Sequence, residues 1–209
     1  MVLATAFALG TATAAEASDS ATPLTFTGTP GYMRVYGPTE PPSGFQRLCG
    51  REPAACARVS ADSERADLDP EQWLDLVSVN QIANETVSPV SDQELYGTSE
   101  YWALPRKSGD CEDYALLKQR MLIERGWSQG ALLLTVVRDE TGQGHAVLTA
   151  RTSGGDFILD NRYPVVRLFS ATPYSYVKRQ SYADPKNWVS LEPVDRPDPR
   201  QSASAGRQD

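Results

Sequence analysis

Several things are scarce in this chain, and each shortage narrows what it can do. One histidine stands among 209 residues, so any chemistry that needs an imidazole has a single candidate, His145. There are three cysteines, too few for a disulfide scaffold, and a chain of this length buries an ordinary core without one. Positive charge is not in excess: 20 Lys and Arg face 27 Asp and Glu, a net charge of −7. Phosphate binding needs a basic face, and none is visible, so a nucleic-acid partner is set aside. No stretch approaches the roughly 20 apolar residues of a membrane span, which argues against an integral membrane protein.

What is present suggests one domain with tails. Val2 to Gly10 is a short apolar run leading into small residues up to Ala17, so residues 1–17 look like a secretory signal peptide. The Lys or Arg expected ahead of that run is missing, which a truncated start would explain. Residues 18–192 form the expected single domain, and the polar, Pro- and Ser-containing stretch 193–209 reads as a disordered tail. An exported protein, periplasmic or secreted, meets oxidising conditions. Cys49 and Cys56 bracket a short segment whose Gly50 and Pro53 would let the ends meet as a disulfide. Cys111 is then the odd thiol.

Along the chain, residues 18–44 read as extended or loop structure. After Pro70, apolar residues Trp73, Leu76, Val77 and Ala83 recur at helical spacing to about Thr86. Asn80 and Asn84 lie on one side of that helix, either as a solvated face or as a polar brace. Ser88 to Pro105 has no regular period; its aromatic residues are expected in the core, with Trp102 near enough in sequence to Cys111 to wall a cleft. A second helix runs from Cys111 to about Arg125, stopped by Gly126. Three apolar, β-branched runs follow, 131–137, 145–150 and 157–160, joined by turns at 139–142 and 153–155, and they predict an antiparallel meander. Stretches 163–168, 174–179 and 188–191 would add strands at its far side.

Gly109-Asp110-Cys111-Glu112-Asp113 places a thiol in the first turn of a helix, with Asp110 as a good cap type and Asp113 three residues on. The amide end of the helix favours a thiolate, whereas Asp110, Glu112 and Asp113 oppose it. A histidine partner or a bound cation would resolve the conflict. Helix-borne Cys111, His145 opening one strand and Asp160 closing the next form an order suited to nucleophilic catalysis. An aspartate fixes the imidazole tautomer, and the imidazole takes the thiol proton.

Gly-Asp-Cys-Glu-Asp-Tyr-Ala, Gly-His-Ala-Val-Leu and Leu-Asp-Asn, as they stand here, resemble the bacterial transglutaminase-like cysteine proteinases, a family that includes periplasmic adhesin-cleaving enzymes. The likeness spans about 44–191. It implies an α+β, papain-like or transglutaminase-like fold, its nucleophile at a helix N-terminus packed on an antiparallel sheet. It also implies Cys111 as nucleophile, His145 as general base and acid, and Asp160 as orienter. In the adhesin-cleaving members the carboxylates flanking the cysteine bind calcium, which maps onto Asp110 and Glu112. The substrate implied is a cell-surface or periplasmic protein such as a large adhesin. Two other readings stay open: a transglutaminase that passes the acyl group to an amine, and a non-catalytic, calcium-dependent binding module on the same scaffold.

Overall fold

A computed structural model describes residues 31–58 and 64–193. The signal peptide expected at 1–17 lies outside the described residues, as does the tail beyond Pro193. In chain order the elements are β1 (Gly37–Thr39), α1 (Ser43–Arg51), α2 (Pro70–Thr86), β2 (Ser88–Pro89), α3 (Asp92–Tyr96), β3 (Ser108–Gly109) and α4 (Cys111–Glu124). Strands β4 (Leu132–Arg138), β5 (Gly144–Thr152), β6 (Gly155–Leu159), β7 (Arg167–Leu168), β8 (Ser175–Gln180) and β9 (Trp188–Ser190) complete it. Among the described residues seven strands form one antiparallel sheet in the order β1-β9-β8-β4-β5-β6-β7, and β2 and β3 make a separate two-residue parallel pairing.

The meander β4-β5-β6 is as expected, but the chain then returns to lay β8 against the free side of β4. Two segments read as loop are structured. Gly37–Thr39 pairs with β9, and Ser43 and Gly44 open a helix that runs to Arg51, so Cys49 sits near the end of α1. The Cys49–Cys56 disulfide is formed. Helix α2 begins on a capping box, Asp69 accepting from the Gln72 backbone while the Gln72 side chain returns to the Asp69 N–H.

Both sheet faces are covered, so alternate residues of the central strands enter different cores. Leu132, Leu134, Leu148, Ala150, Phe157 and Leu159 face α2 and α4 in the larger core; Val137, Val147 and Ile158 join Met33 and Leu191 in a smaller one on the other side. At one end of the larger core Phe45, Trp102 and Trp188 pack edge to face, with Phe45 centroids 5.7 and 5.4 Å from the two indoles. Trp102 is 3% exposed, so it is a core residue and does not wall a cleft. Gly126, at φ +91°, takes the left-handed conformation that ends α4.

Candidate active site

Three local structures deliver the side chains. The β2–β3 pairing fixes the chain immediately ahead of α4, and Tyr114 on the first turns of the helix donates its hydroxyl to the Val87 carbonyl at 2.5 Å. Gly109 is required here: a Cβ at that position would collide with the Asp113 carboxylate. The helix therefore starts at a defined place, with Cys111 as its first residue and half-buried. Helix α4 lies against β5, and the thiol meets the backbone N–H of Ala146, the neighbour of His145.

His145 and Asp160 share one face of the sheet. Leu148 pairs with Leu159, so Asp160 follows the end of β6 two positions along from His145, and the diagonal brings the side chains together. His145 Nε2 lies 2.9 Å from Asp160 Oδ1, both groups being almost fully buried. A carboxylate only accepts, so the hydrogen of a neutral ring sits on Nε2 and the lone pair on Nδ1. Nδ1 is buried without a hydrogen-bond partner among the described residues. The thiol hydrogen instead points to Glu112 Oε2, 3.2 Å away. Burial pushes the Cys111 thiol well above its ordinary range; the Glu112 carboxylate adds to that and the Ala146 N–H works against it.

Asp160 is held from several directions. Its Oδ1 also accepts from the Arg162 backbone N–H at 2.9 Å, its Oδ2 from the Tyr174 hydroxyl at 2.5 Å, and its carbonyl from Asn84 Nδ2 at 2.9 Å. Burial alone would raise its pKa, but the bonds from His145 and Tyr174 outweigh it and hold the carboxyl below its usual value. The two asparagines of α2 are thus a brace: Asn80 spans to the carbonyls of Tyr163 and Pro164 at 3.2 and 3.0 Å.

Beside the thiol is an acidic cluster. Asp92, Asp110 and Asp113 bring carboxylate oxygens within 4.8 Å of one another. Asp110 Oδ2 accepts from the Asp92 N–H at 3.2 Å and Asp113 Oδ1 from the Ala103 N–H at 2.9 Å, while Asp92 Oδ2 takes the Tyr101 N–H. One oxygen on each aspartate is buried with no hydrogen-bond partner among the described residues. Burial, then the neighbouring carboxylates, pushes Asp92 up and Asp113 up to about 7, against the bonds from backbone N–H groups; burial and Asp110 push Glu112 far above the usual carboxylate range. Hard oxygens, orphaned and crowded with like charge, suit a hard divalent cation. Of the two residues expected to hold one, Asp110 lies in this trio, whereas Glu112 turns toward the thiol. Asp92, 18 residues earlier, carries no sequence signal beyond its place after the Ser91 cap. Asp110, although the first residue before α4, makes no side-chain cap bond; its carboxylate serves the cluster instead.

An α+β papain-like fold with a free cysteine opening a helix and a buried His–Asp pair on the adjoining strands defines a class, the papain-like and transglutaminase-like thiol enzymes. Within that class the sequence pattern of the bacterial transglutaminase-like cysteine proteinases matches residues 35–196, and the chain belongs to this family, whose members are cysteine peptidases. Among solved structures, calcium-bound LapG of Legionella pneumophila is similar with a TM-score of 0.51 at 22% identity, over 63% of this chain and 75% of LapG. A second LapG structure from the same organism gives 0.49 at 24% identity, over 67% and 76%, and the EGTA-treated form 0.46 at 25%, over 54% and 64%. The first likeness supports the fold. No curated protein matches the chain. No helix among the described residues is long and apolar enough to cross a membrane.

Proposed function

We propose that this chain is an exported cysteine endopeptidase in which Cys111 is the nucleophile, His145 the general base and acid, and Asp160 the residue that orients the imidazole. One observation carries the reading: a buried imidazole, fixed by Asp160 through Nε2, keeps an unpartnered Nδ1 next to the residue whose N–H meets the thiol. In the mechanism, Nδ1 takes the proton of Cys111 as the sulfur attacks a peptide carbonyl, and returns it to the departing amine. The N–H groups of the first turn of α4 have no intrahelical acceptor and would stabilise the oxyanion. Water, activated by the same imidazole, then releases the acyl group.

Calcium would be held by Asp92, Asp110 and Asp113, with Glu112 alongside. When bound it supplies positive charge that offsets the carboxylates crowding the thiol. The substrate is a protein of the cell surface or periplasm, and the family resemblance favours a large adhesin. The domain responsible comprises residues 18–192.

The test compares proteins released from cells carrying the wild-type chain and the Cys111→Ala variant. A surface protein shed only with the wild type, and cut by the purified enzyme in calcium, supports the proposal. Unchanged cleavage by Cys111→Ala overturns it. A purified enzyme that joins a labelled amine to a glutamine peptide, without hydrolysing it, would be a transferase instead.

A further inference from the structure

We infer that Tyr174 is a positioning residue of the catalytic machinery, fixing Asp160 and the imidazole of His145 together; this rests on the triad reading above. The carboxylate of an aspartate turns about a soft sp³–sp² torsion. A single bond to His145 would leave it free to swing and exchange oxygens. Here the two oxygens are assigned separate duties. Oδ1 takes His145 Nε2 and the Arg162 N–H, both at 2.9 Å, and Oδ2 takes the Tyr174 hydroxyl at 2.5 Å, its one hydrogen-bond donor among the described residues.

The ring does a second job. Its centroid lies 5.5 Å from the imidazole, tilted by 55°, so it also limits rotation of the base. The Tyr163 ring lies 6.2 Å from that of Tyr174, and the Tyr163 carbonyl is in turn held by Asn80 of α2. Tyr174 lies just ahead of β8, outside the Cys–His–Asp order, yet a single side chain reaches both the carboxylate and the base. Its hydroxyl can only donate here, since the acceptor is a carboxylate, so the arrangement favours the ionised aspartate that the Nε2–H tautomer requires.

Two readouts need no knowledge of the substrate. The first is the alkylation rate of Cys111 by iodoacetamide in calcium. The second is the Nε2 proton resonance of His145, assigned without ambiguity because the chain has one histidine. Tyr174→Phe keeps the ring and removes the hydroxyl. Alkylation should slow about tenfold, the equivalent of one hydrogen bond to a charged group, and the Nε2 proton should exchange faster with solvent, in a variant that still folds but melts a few degrees lower. Tyr174→Leu, which also removes the ring, should slow alkylation further and serves if the first variant folds poorly.

Wild-type alkylation and an unaltered Nε2 proton in a folded Tyr174→Phe would overturn the inference. His145→Ala separates the two levels of the argument. If His145→Ala alkylates slowly while Tyr174→Phe behaves as wild type, Tyr174 alone loses its role. If His145→Ala also reacts as wild type, the triad reading fails and this inference with it.

Discussion

Calcium should stabilise this protein by more than charge screening gives. The carboxylate oxygens of Asp92, Asp110 and Asp113 lie within 4.8 Å of one another, and at such a separation two unit charges repel by about 3.5 kcal/mol in a medium of effective dielectric near 20. Three pairs would amount to about 10 kcal/mol, comparable with the whole stability of a domain. The crowding disfavours charge there, and burial, with the neighbouring carboxylates adding to it, pushes Asp113 up to about 7. A divalent ion relieves the conflict, and only the folded chain assembles the site. At a free concentration of 100 times Kd, native-state binding adds about 2.7 kcal/mol, which raises Tm by about 5–10 °C in a domain of this size. Thermal unfolding at neutral pH, in EGTA, in calcium and in magnesium at equal ionic strength, measures it. Magnesium should give less, because it demands octahedral geometry and sheds its waters reluctantly. Asp92→Asn should lose most of the calcium response. Equal shifts with both ions, or a full calcium response in Asp92→Asn, would refute the assignment.

Two further outcomes concern the core. Lys118 on α4 is 1% exposed with an ammonium lacking a hydrogen-bond partner among the described residues, and burial lowers its pKa to about 7 although the charge of Asp160 opposes this. The folded value lies below the unfolded one, so the unfolded chain binds more protons between about pH 7 and 10.4, and this group's penalty shrinks as pH rises through that window. Lys118→Met should therefore stabilise by about 1–4 kcal/mol near pH 7, with the gain fading toward pH 10 in a series of melting curves. Phe45→Ala removes a ring that is 2% exposed and wedged between Trp102 and Trp188; urea unfolding should report a loss of about 3–5 kcal/mol.

The parts of the fold legible in the sequence were those with a local cause. Helix α4 announces itself through its periodic apolar residues and Gly126, and the meander through β-branched runs separated by Asp139–Gly142 and Ser153–Gly155. Helix α1 did not, because its start at Ser43 follows a Pro-rich stretch and its stability comes from Phe45 and Leu48 entering a distant core. The strand partners of β8 and β1 are set by tertiary packing rather than by neighbours in sequence.

The site divides the same way. Cys111, His145 and Asp160 stand out by residue type and order, and the structure places His145 and Asp160 in contact. Tyr174 and Asn84 reach Asp160 from other segments and Arg162 from two residues on, through a hydroxyl, an amide and a backbone N–H that occur everywhere in proteins. Asp92 joins Asp110 only because α3 folds back onto the start of α4, a contact that spans 18 residues. Glu112 was mapped to a cation ligand through the family resemblance; here one of its oxygens meets the thiol, while the carboxyl also lies beside Asp110 and Asp92.

The central claim is that one imidazole activates one thiol, and alkylation of Cys111 tests it most directly. Mass spectrometry of the calcium-loaded protein after timed exposure to iodoacetamide at pH 6.5 should find Cys111 modified faster than a free thiol, and the rate should fall at least tenfold in His145→Ala. Equal rates for the two proteins would contradict the account.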